Sequence, residues 1–123
     1  MITAQELDVK IQNFVQVANE NIANHWAKSE YHGEPYICRA EYLSDKWVRI
    51  VRQEKRNDGK YYDASVFAFI CIKDNVTKAL GQVKVGDIHK PANFKTPAKH
   101  ARANIFEEDF QKCLTPFGIV YLK

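Results

Sequence analysis

The feature that most constrains the fold is an apolar stripe in the N-terminal part of the chain. Its members recur at steps of three and four residues, the spacing of one helical face: Leu7, Ile11, Phe14, Val15, Ala18, Ile22 and Trp26. Thr3 and Glu6 precede the stripe with the spacing of a capping box, which predicts that a helix begins there. Such a helix must bury its apolar face. We expect it to pack on a sheet, with a partner-binding helix as the alternative.

The rest of the chain carries strand patterns separated by turns. Trp47–Gln53 alternates in hydrophobicity, and the aromatic and β-branched run Ser65–Ile72 is typical of a central strand. Between them, Asp58 and Gly59 form the dipeptide that signals a hairpin. Weaker strand patterns cover Tyr36–Tyr42, Thr77–Val85, Asp87–Lys90 and Ile119–Leu122. We expect Thr77–Val85 and Asp87–Lys90 to complete the sheet, with a break at Gly81 or Gly86 as the alternative.

Alternation along the central strand also predicts part of the core. Phe67 and Phe69 are two residues apart, so we expect them to share one buried face. We expect Phe69 to lie in the same core as Phe14 and Ile22. Cys71, in the same apolar run, is expected to be a small core residue.

Near the C-terminus the pattern predicts a second helix. Thr96 and Pro97 are suitable N-cap and first-turn residues for a short helix that extends to Arg102. The order helix, strands, short helix, strand predicts an α+β fold: an N-terminal amphipathic helix packed on a mainly antiparallel sheet, with a short second helix near the C-terminus. The length of 123 residues indicates a single domain, 1–123.

Composition narrows the cellular setting. The three cysteines, Cys38, Cys71 and Cys113, are widely spaced and include no C-x-x-C pair, so reduced thiols in a cytosol are the simplest interpretation. There is no signal-peptide pattern, and the longest apolar run, Val66–Ile72, is too short to cross a bilayer. We therefore expect a cytoplasmic protein with no membrane partner. The net charge of +3 permits an anionic partner without requiring one.

Positive charge is concentrated in the segment Gly86–Phe106, where Asp87 is the only acidic residue. On the predicted helix, Lys99 and Arg102 would share a face, and the free N–H groups of the helix N-terminus would also favour an anion. The pattern predicts a phosphate site whose ligands are Lys90, Lys95, Lys99, His100 and Arg102. A solvated basic surface without a ligand is the alternative.

Exposed aromatic side chains next to cations can stack on nucleotide bases. Tyr61 and Tyr62 follow a basic hairpin that contains Lys55, Arg56 and Lys60. Phe94 lies within the basic segment itself. We predict that Tyr61, Tyr62 and Phe94 are base-stacking residues, whereas Phe67 and Phe69 belong to the core.

The histidines raise the question of catalysis. His89 and His100 could form a metal or phosphotransfer site, but packing or a hydrogen bond to the backbone is the commoner role for such a histidine. The chain has no H-E-x-x-H motif, no glycine-rich phosphate loop and no nucleophile motif. We therefore predict no catalytic residue, no metal and no cofactor.

The segment Gly86–Phe106 resembles a motif of small uncharacterised proteins from tailed bacteriophages and prophages. In those proteins a strand ending in G-D-I/V-x-K leads through an aromatic loop into P-A-K-H-A-R-G-N-I. The matching residues here are Gly86, Asp87, Lys90, Phe94, Pro97, Ala98, Lys99, His100, Ala101, Arg102, Asn104 and Ile105. Ala103 replaces the expected glycine, which would strain a left-handed backbone at that position. The resemblance implies a mobile-element origin, a bacterial host cell and an accessory role, and it supplies no catalytic residue.

These observations favour a non-enzymatic phage-type accessory protein that binds a nucleotide or nucleic acid through a basic segment, in a role that counters host defence. The first alternative is a protein-interaction module that inhibits a host factor. A weaker alternative is a small phosphodiesterase or nuclease that uses His100 and a carboxylate. The sequence leaves open the ligand, the host target and whether the chain forms a homo-oligomer.

Overall fold

The computed structural model describes residues 3–28, 35–115 and 118–119. Helix α1 spans Ala4–Lys28. The Thr3 hydroxyl oxygen accepts a hydrogen bond from the Glu6 backbone N–H at 3.1 Å, as the capping pattern predicts. Ile11, Phe14, Ala18 and Ile22 are buried along one side of α1, which confirms the predicted stripe.

Within the described residues, nine strands follow α1. Their bounds are β1 Ile37–Tyr42, β2 Trp47–Lys55, β3 Tyr61–Cys71, β4 Asn75–Thr77, β5 Gly81–Val83, β6 Asp87–Pro91, β7 Pro97–Asn104, β8 Leu114–Thr115 and β9 Gly118–Ile119. The main sheet has the order β1-β2-β3-β6-β7, and each neighbouring pair is antiparallel. The pairs β4-β5 and β8-β9 form two small ladders of their own. The fold is therefore α+β, with one long N-terminal helix packed on a mainly antiparallel sheet.

The main core lies between α1 and one face of the sheet. Phe14 contacts Phe67 and Phe110, with ring centroids 6.4 and 6.1 Å apart. Sheet residues on this face include Val48, Ile50, Ala68, Ile70 and Ile88, all fully buried. Burial of this apolar surface is the main force that holds α1 on the sheet.

A β-bulge in β3 changes which residues reach that core. Ile50 pairs with Ala68, but the next β2 residue, Val51, pairs with Val66, so Phe67 is an extra residue in β3. Phe67 thereby joins the core beneath α1, whereas Phe69 lies on the opposite face and contacts Trp47 at 6.3 Å between ring centroids. Both phenylalanines are buried, but the prediction that they share a face, with Phe69 in the core of Phe14 and Ile22, was wrong.

The predicted second helix over Pro97–Arg102 is also wrong, because this segment is strand β7. Pairing with β6 supplies its backbone partners, with Ile88 opposite Ala103 and Asp87 opposite Asn104. A single short helix would have offered only marginal stability on its own. The second helical segment near the C-terminus is a 3-10 turn at Phe110–Cys113.

Three further expectations are settled by the strand assignments. The predicted strand Thr77–Val85 is broken before Gly81, as the alternative expected, but it does not join the main sheet: Thr77 ends β4, Gly81–Val83 is β5, and the two pair with each other. Ala103 lies on β7 and pairs with Ile88 of β6. No non-glycine residue in the described ranges has a positive φ, so the backbone strain expected at Ala103 is not seen. The last predicted strand is described only as β9; residues 120–122 of that prediction lie outside the described residues.

The edge strand β1 is tied to the helix. The Asn19 side chain accepts a hydrogen bond from the Cys38 backbone N–H at 2.6 Å and donates one to the Cys38 carbonyl at 3.2 Å. The Asn19 side chain thereby supplies hydrogen-bond partners for both the backbone N–H and the backbone carbonyl of Cys38 on this edge strand. Within the described part of the chain, no helix is long and apolar enough to cross a membrane.

Candidate functional site

Lys95 and Lys99, two of the predicted phosphate ligands, are exposed, and their ammonium groups have no partner among the described residues. Lys95 lies in the loop between β6 and β7, and Lys99 lies on β7, which is an edge strand of the sheet. The ammonium groups of both form no hydrogen bond or ion pair with any residue in the described ranges. Both side chains are therefore free to bind an external anion.

The loop that carries Lys95 is ordered by its own hydrogen bonds. The Ala92 N–H donates to the Thr96 carbonyl at 3.0 Å. The Asn93 side-chain oxygen accepts from the backbone N–H groups of Lys95 and Thr96 at 2.8 and 2.9 Å. This asparagine turn fixes the backbone on which Phe94 and Lys95 are presented.

The other predicted phosphate ligands do not converge with these lysines. Lys90 donates to the carbonyl of Ile119 at 3.0 Å. Arg102 donates to the carbonyl of His100 and lines a cavity of about 210 Å³ together with Glu107 and Asp109. His100 is exposed on β7. The cations thus follow an extended loop and strand. The helical face expected for Lys99 and Arg102 is absent because both residues lie on strand β7.

Phe94 and Arg49 form a clamp that the sequence did not predict. The Arg49 guanidinium lies 4.4 Å from the centre of the Phe94 ring, and its Nη1 donates to the Phe94 carbonyl at 3.0 Å. Its Nη2 forms an ion pair with Glu41 at 2.6 Å. Arg49 is only 9% exposed, whereas Phe94 is 45% exposed. The loop is therefore fastened to the sheet through a buried cation, and much of the Phe94 ring remains open to solvent.

The clamp belongs to a row of residues that crosses the sheet on the face away from α1. The register aligns, from β1 to β7, Glu41, Arg49, Phe69, His89 and Ala101. The sequence signal for this row was weak: Arg49 stands between Val48 and Ile50 in an alternating strand, where a charged residue normally faces solvent.

His89 is buried in this row at 2% exposure, and its role is structural. Its Nδ1 lies 2.7 Å from the Ala98 carbonyl oxygen. Because a carbonyl can only accept, Nδ1 carries the proton, and Nε2 is left buried without a hydrogen-bond partner. Trp47 packs against the imidazole, with ring centroids 5.3 Å apart. His89 thus ties β6 to β7, which is the packing role that the sequence favoured.

The tyrosines lie apart from the basic loop. Phe94 lies over Arg49, which is opposite Phe69, and Tyr61 is eight residues from Phe69 along β3. At about 3.3 Å per residue, and with two bulges between, the separation is roughly 20–25 Å. Tyr62 is engaged within its own hairpin: its hydroxyl donates to Asp58, and the Arg56 guanidinium lies 4.4 Å from its ring centre. The three predicted stacking residues therefore belong to two separate surfaces.

Four residues of the phage-like motif meet at one structural junction. The Asn104 side chain donates to the Val85 carbonyl at 3.0 Å and to the Asp87 carboxylate at 3.1 Å. The Ile105 N–H donates to the Gly86 carbonyl at 2.9 Å. A Cβ on Gly86 would lie 2.6 Å from the Asn104 side-chain oxygen, so any other residue there would force the Asn104 side chain to move. The contacts of these motif positions are therefore within the fold, where they connect the segment before β6 to the end of β7.

The three cysteines are free and buried. Burial raises the pKa of Cys38 to about 12 and the pKa values of Cys71 and Cys113 to about 11. Such thiols are poor nucleophiles at neutral pH. Among the described residues, no group of three or more histidine, cysteine, aspartate or glutamate side chains could hold a metal ion.

Two open cavities of about 680 Å³ each lie at the start of α1. One includes Leu7, Tyr42 and Ile72, and the other includes Val9 and Phe106. Neither is lined by a predicted phosphate ligand or stacking residue. Val9 is 60% and Tyr42 is 54% exposed, so apolar surface is accessible here.

Comparisons with protein-family models, curated proteins and solved structures found no match, so the resemblance to phage proteins stays a prediction.

Proposed function

We propose that this chain is a non-enzymatic accessory protein that binds a phosphate-bearing ligand along the β6-β7 loop and strand β7. The observation that carries the proposal is the pair of exposed ammonium groups on Lys95 and Lys99, which have no partner in the part of the chain that the structure describes. Both lie close in sequence to His100, which is also exposed. Phosphate oxygens accept strong charge-assisted hydrogen bonds from such groups.

An extended arrangement favours nucleic acid over a free nucleotide. Lys99 lies on a strand that rises about 3.3 Å per residue, and Lys95 precedes it in the loop. His100, the next residue of the strand, points to the opposite face and is not part of this path. Cations spread along such a path match successive phosphates of a polyanion better than the two or three phosphates of one nucleotide. Each phosphate neutralised would add affinity through release of bound counterions.

The resemblance of Gly86–Phe106 to phage and prophage proteins suggests the biological setting. We propose that the protein acts in the cytoplasm of a bacterial host cell and counters a host defence that involves nucleic acid. Four motif positions, Gly86, Asp87, Asn104 and Ile105, hold β6 and β7 together. The motif would thereby position the basic strand without contacting the ligand.

The test is a double variant, Lys95→Ala with Lys99→Ala, titrated with fluorescein-labelled single-stranded and duplex DNA. Both lysines are exposed and form no ion pair within residues 3–28, 35–115 and 118–119, so thermal stability should be nearly unchanged while affinity falls at least about tenfold. The matched control is Lys10→Ala with Lys78→Ala, which removes the same charge from exposed positions on α1 and the β4-β5 hairpin. Equal losses in the two double variants would mean that only total charge matters, and no binding by the wild type would refute the proposal.

A protein-interaction module that inhibits a host factor is the second candidate. It is favoured by one observation, the accessible apolar surface at the start of α1, where Val9 and Tyr42 are more than half exposed. Val9→Asp would disrupt that surface without touching the β6-β7 loop. Loss of biological activity in Val9→Asp, with activity retained in the Lys95/Lys99 double variant, would favour this candidate.

The phosphodiesterase or nuclease alternative gains no support from the geometry. The His100 imidazole forms no hydrogen bond with a carboxylate among the described residues. A general-base histidine is normally oriented by such a partner. His89 is buried and bonded to the backbone, which makes it unsuited to contact a substrate.

A further inference from the structure

We propose that Phe94 is a preorganised base-stacking platform for single-stranded nucleic acid, with Arg49 and Glu41 as the positioning residues that hold its ring. This inference rests on the proposed polyanion-binding function and names the class of ligand. It concerns a surface next to Lys95 in the chain, on the same ordered loop.

The position of Phe94 is held by several contacts at once. Arg49 holds the residue twice, through the carbonyl at 3.0 Å and through the ring at 4.4 Å from its centre. The Asn93 side-chain oxygen holds the loop backbone, because it accepts hydrogen bonds from the N–H groups of Lys95 and Thr96. A ring that is already ordered loses little conformational entropy when a base stacks on it.

Arg49 is in turn fixed by Glu41. The ion pair at 2.6 Å joins adjacent strands, where Glu41 is directly opposite Arg49. Arg49 is 9% exposed, so this guanidinium is not available to bind an external phosphate. Its role is to support the ring from the sheet side, which leaves the solvent side for the ligand.

The solvent side of the ring is open. Phe94 is 45% exposed although one part of it packs on Arg49. An exposed aromatic ring next to cations is the arrangement that proteins use for single strands: the cations track the backbone while the ring stacks on an unpaired base. In a duplex the bases are already stacked on each other, so the platform selects single strands.

The experiment measures fluorescence anisotropy with three labelled probes: a 12-nucleotide poly(dT) strand, a 12-unit strand of abasic sites and a 12-base-pair duplex. The abasic strand carries the phosphates without bases. In Phe94→Ala, affinity for poly(dT) should fall by about 5- to 150-fold, the range measured for loss of one stacking aromatic. Affinity for the abasic strand and the duplex should stay within about twofold of the wild type. Tyr42→Ala, which removes an exposed aromatic elsewhere, should alter none of the three.

The outcomes separate this inference from the proposed function. If Phe94→Ala leaves poly(dT) affinity unchanged, or lowers poly(dT) and abasic affinity equally, the stacking platform is refuted and polyanion binding stands. If the wild type binds none of the probes, both proposals fail. If the Lys95/Lys99 double variant loses all three probes while Phe94→Ala loses only poly(dT), both are supported.

The positioning role of Glu41 is tested by a double-mutant cycle. Glu41→Gln keeps the size of the side chain and removes its charge, so Arg49 is held less firmly. The ratio of poly(dT) to abasic affinity should fall in this variant, and the same substitution should change that ratio no further in the Phe94→Ala background. The ratio corrects for the change in net charge. No change in the ratio, or an equal change in both backgrounds, would overturn the positioning role.

Discussion

At the scale of single residues, His89 shows how burial decides the state of a titratable group. Burial lowers the pKa of His89 below its ordinary value of 6.5, and the charges of Arg102 and His100 act in the same direction. The hydrogen bond to Ala98 and the charge of Asp87 oppose the shift but do not cancel it. The folded protein therefore holds a neutral imidazole, with Trp47 packed against it.

This state makes the free energy of unfolding depend on pH. Between the lowered pKa of the folded state and about 6.5, the unfolded chain binds a proton that the folded chain excludes, so stability rises with pH in that window. Stability should be complete above about pH 6.5 and should fall as the pH drops below it. Urea unfolding from pH 5.0 to 7.5 measures the effect. His89→Gln should flatten this dependence, and the exposed control His100→Gln should retain most of it, because burial is the largest cause of the lowered pKa of His89. An unchanged dependence in His89→Gln would contradict the assignment.

At the scale of elements, the junction of Gly86 with Asn104 fixes how β6 meets β7. Gly86 has a φ of +91°, and an added Cβ would also approach the Phe106 ring to 2.7 Å. Gly59 has a similar φ of +81° but has no neighbouring atom within 4 Å of an added Cβ. The two glycines therefore share the backbone requirement and differ in the space around them.

Substitution by alanine separates the two effects. Gly59→Ala should cost about 1–2 kcal/mol of unfolding free energy, because it forces an L-residue into a left-handed conformation. Gly86→Ala should cost about 1–3 kcal/mol more, because the Phe106 ring and the Asn104 amide must move as well. Chemical denaturation of both variants measures the difference. Equal costs would mean that the junction accommodates the methyl group freely.

The contact between α1 and β1 leads to a second test at this scale. Asn19→Ala removes both hydrogen bonds to the Cys38 backbone and leaves two partly buried groups without their protein partner. We expect a loss of about 1–3 kcal/mol. Gln16→Ala, which removes an exposed bond to Glu20 on the same helix, should cost less than about 0.5 kcal/mol. Similar losses in the two variants would show that Asn19 contributes no more than a surface residue.

Elements whose sequence pattern lies within a few neighbouring residues were predicted correctly, and elements set by contacts between distant segments were not. The α1 stripe and the Asp58–Gly59 turn are local patterns, and the structure confirms them. The bulge at Phe67 arises from the pairing of β3 with β2. A strictly alternating sequence pattern gives no sign of such a bulge. The conformation of Pro97–Asn104 is likewise set by pairing with β6, although Thr96 and Pro97 are residue types that often begin a helix. The partners of Arg49 could not be predicted, because Glu41 and Phe94 are distant from it in sequence.

At the scale of the whole molecule, the carboxylates near β7 and the lysines Lys95 and Lys99 lie in different places. The carboxylates Glu107 and Asp109 lie near Arg102 at one end of β7, where they line a shared cavity. Lys95 and Lys99 lie outside that cavity. A net charge of +3 is too small to bind polyanions by itself, so what would make this surface a site is that neither Lys95 nor Lys99 is paired with a carboxylate among the described residues.

The dependence of DNA affinity on salt measures how many phosphates this surface neutralises. For single strands, the logarithm of the association constant falls with the logarithm of salt concentration with a slope of about −0.7 per phosphate contact. Removing Lys95 and Lys99 should therefore make the slope shallower by up to about 1.4. Phe94→Ala should lower affinity at every salt concentration and leave the slope unchanged, because stacking releases no counterions. Titrations of poly(dT) at four salt concentrations distinguish these effects. A slope that Phe94→Ala changes, or that the lysine variant does not, would mean that charge and stacking are not divided between these residues.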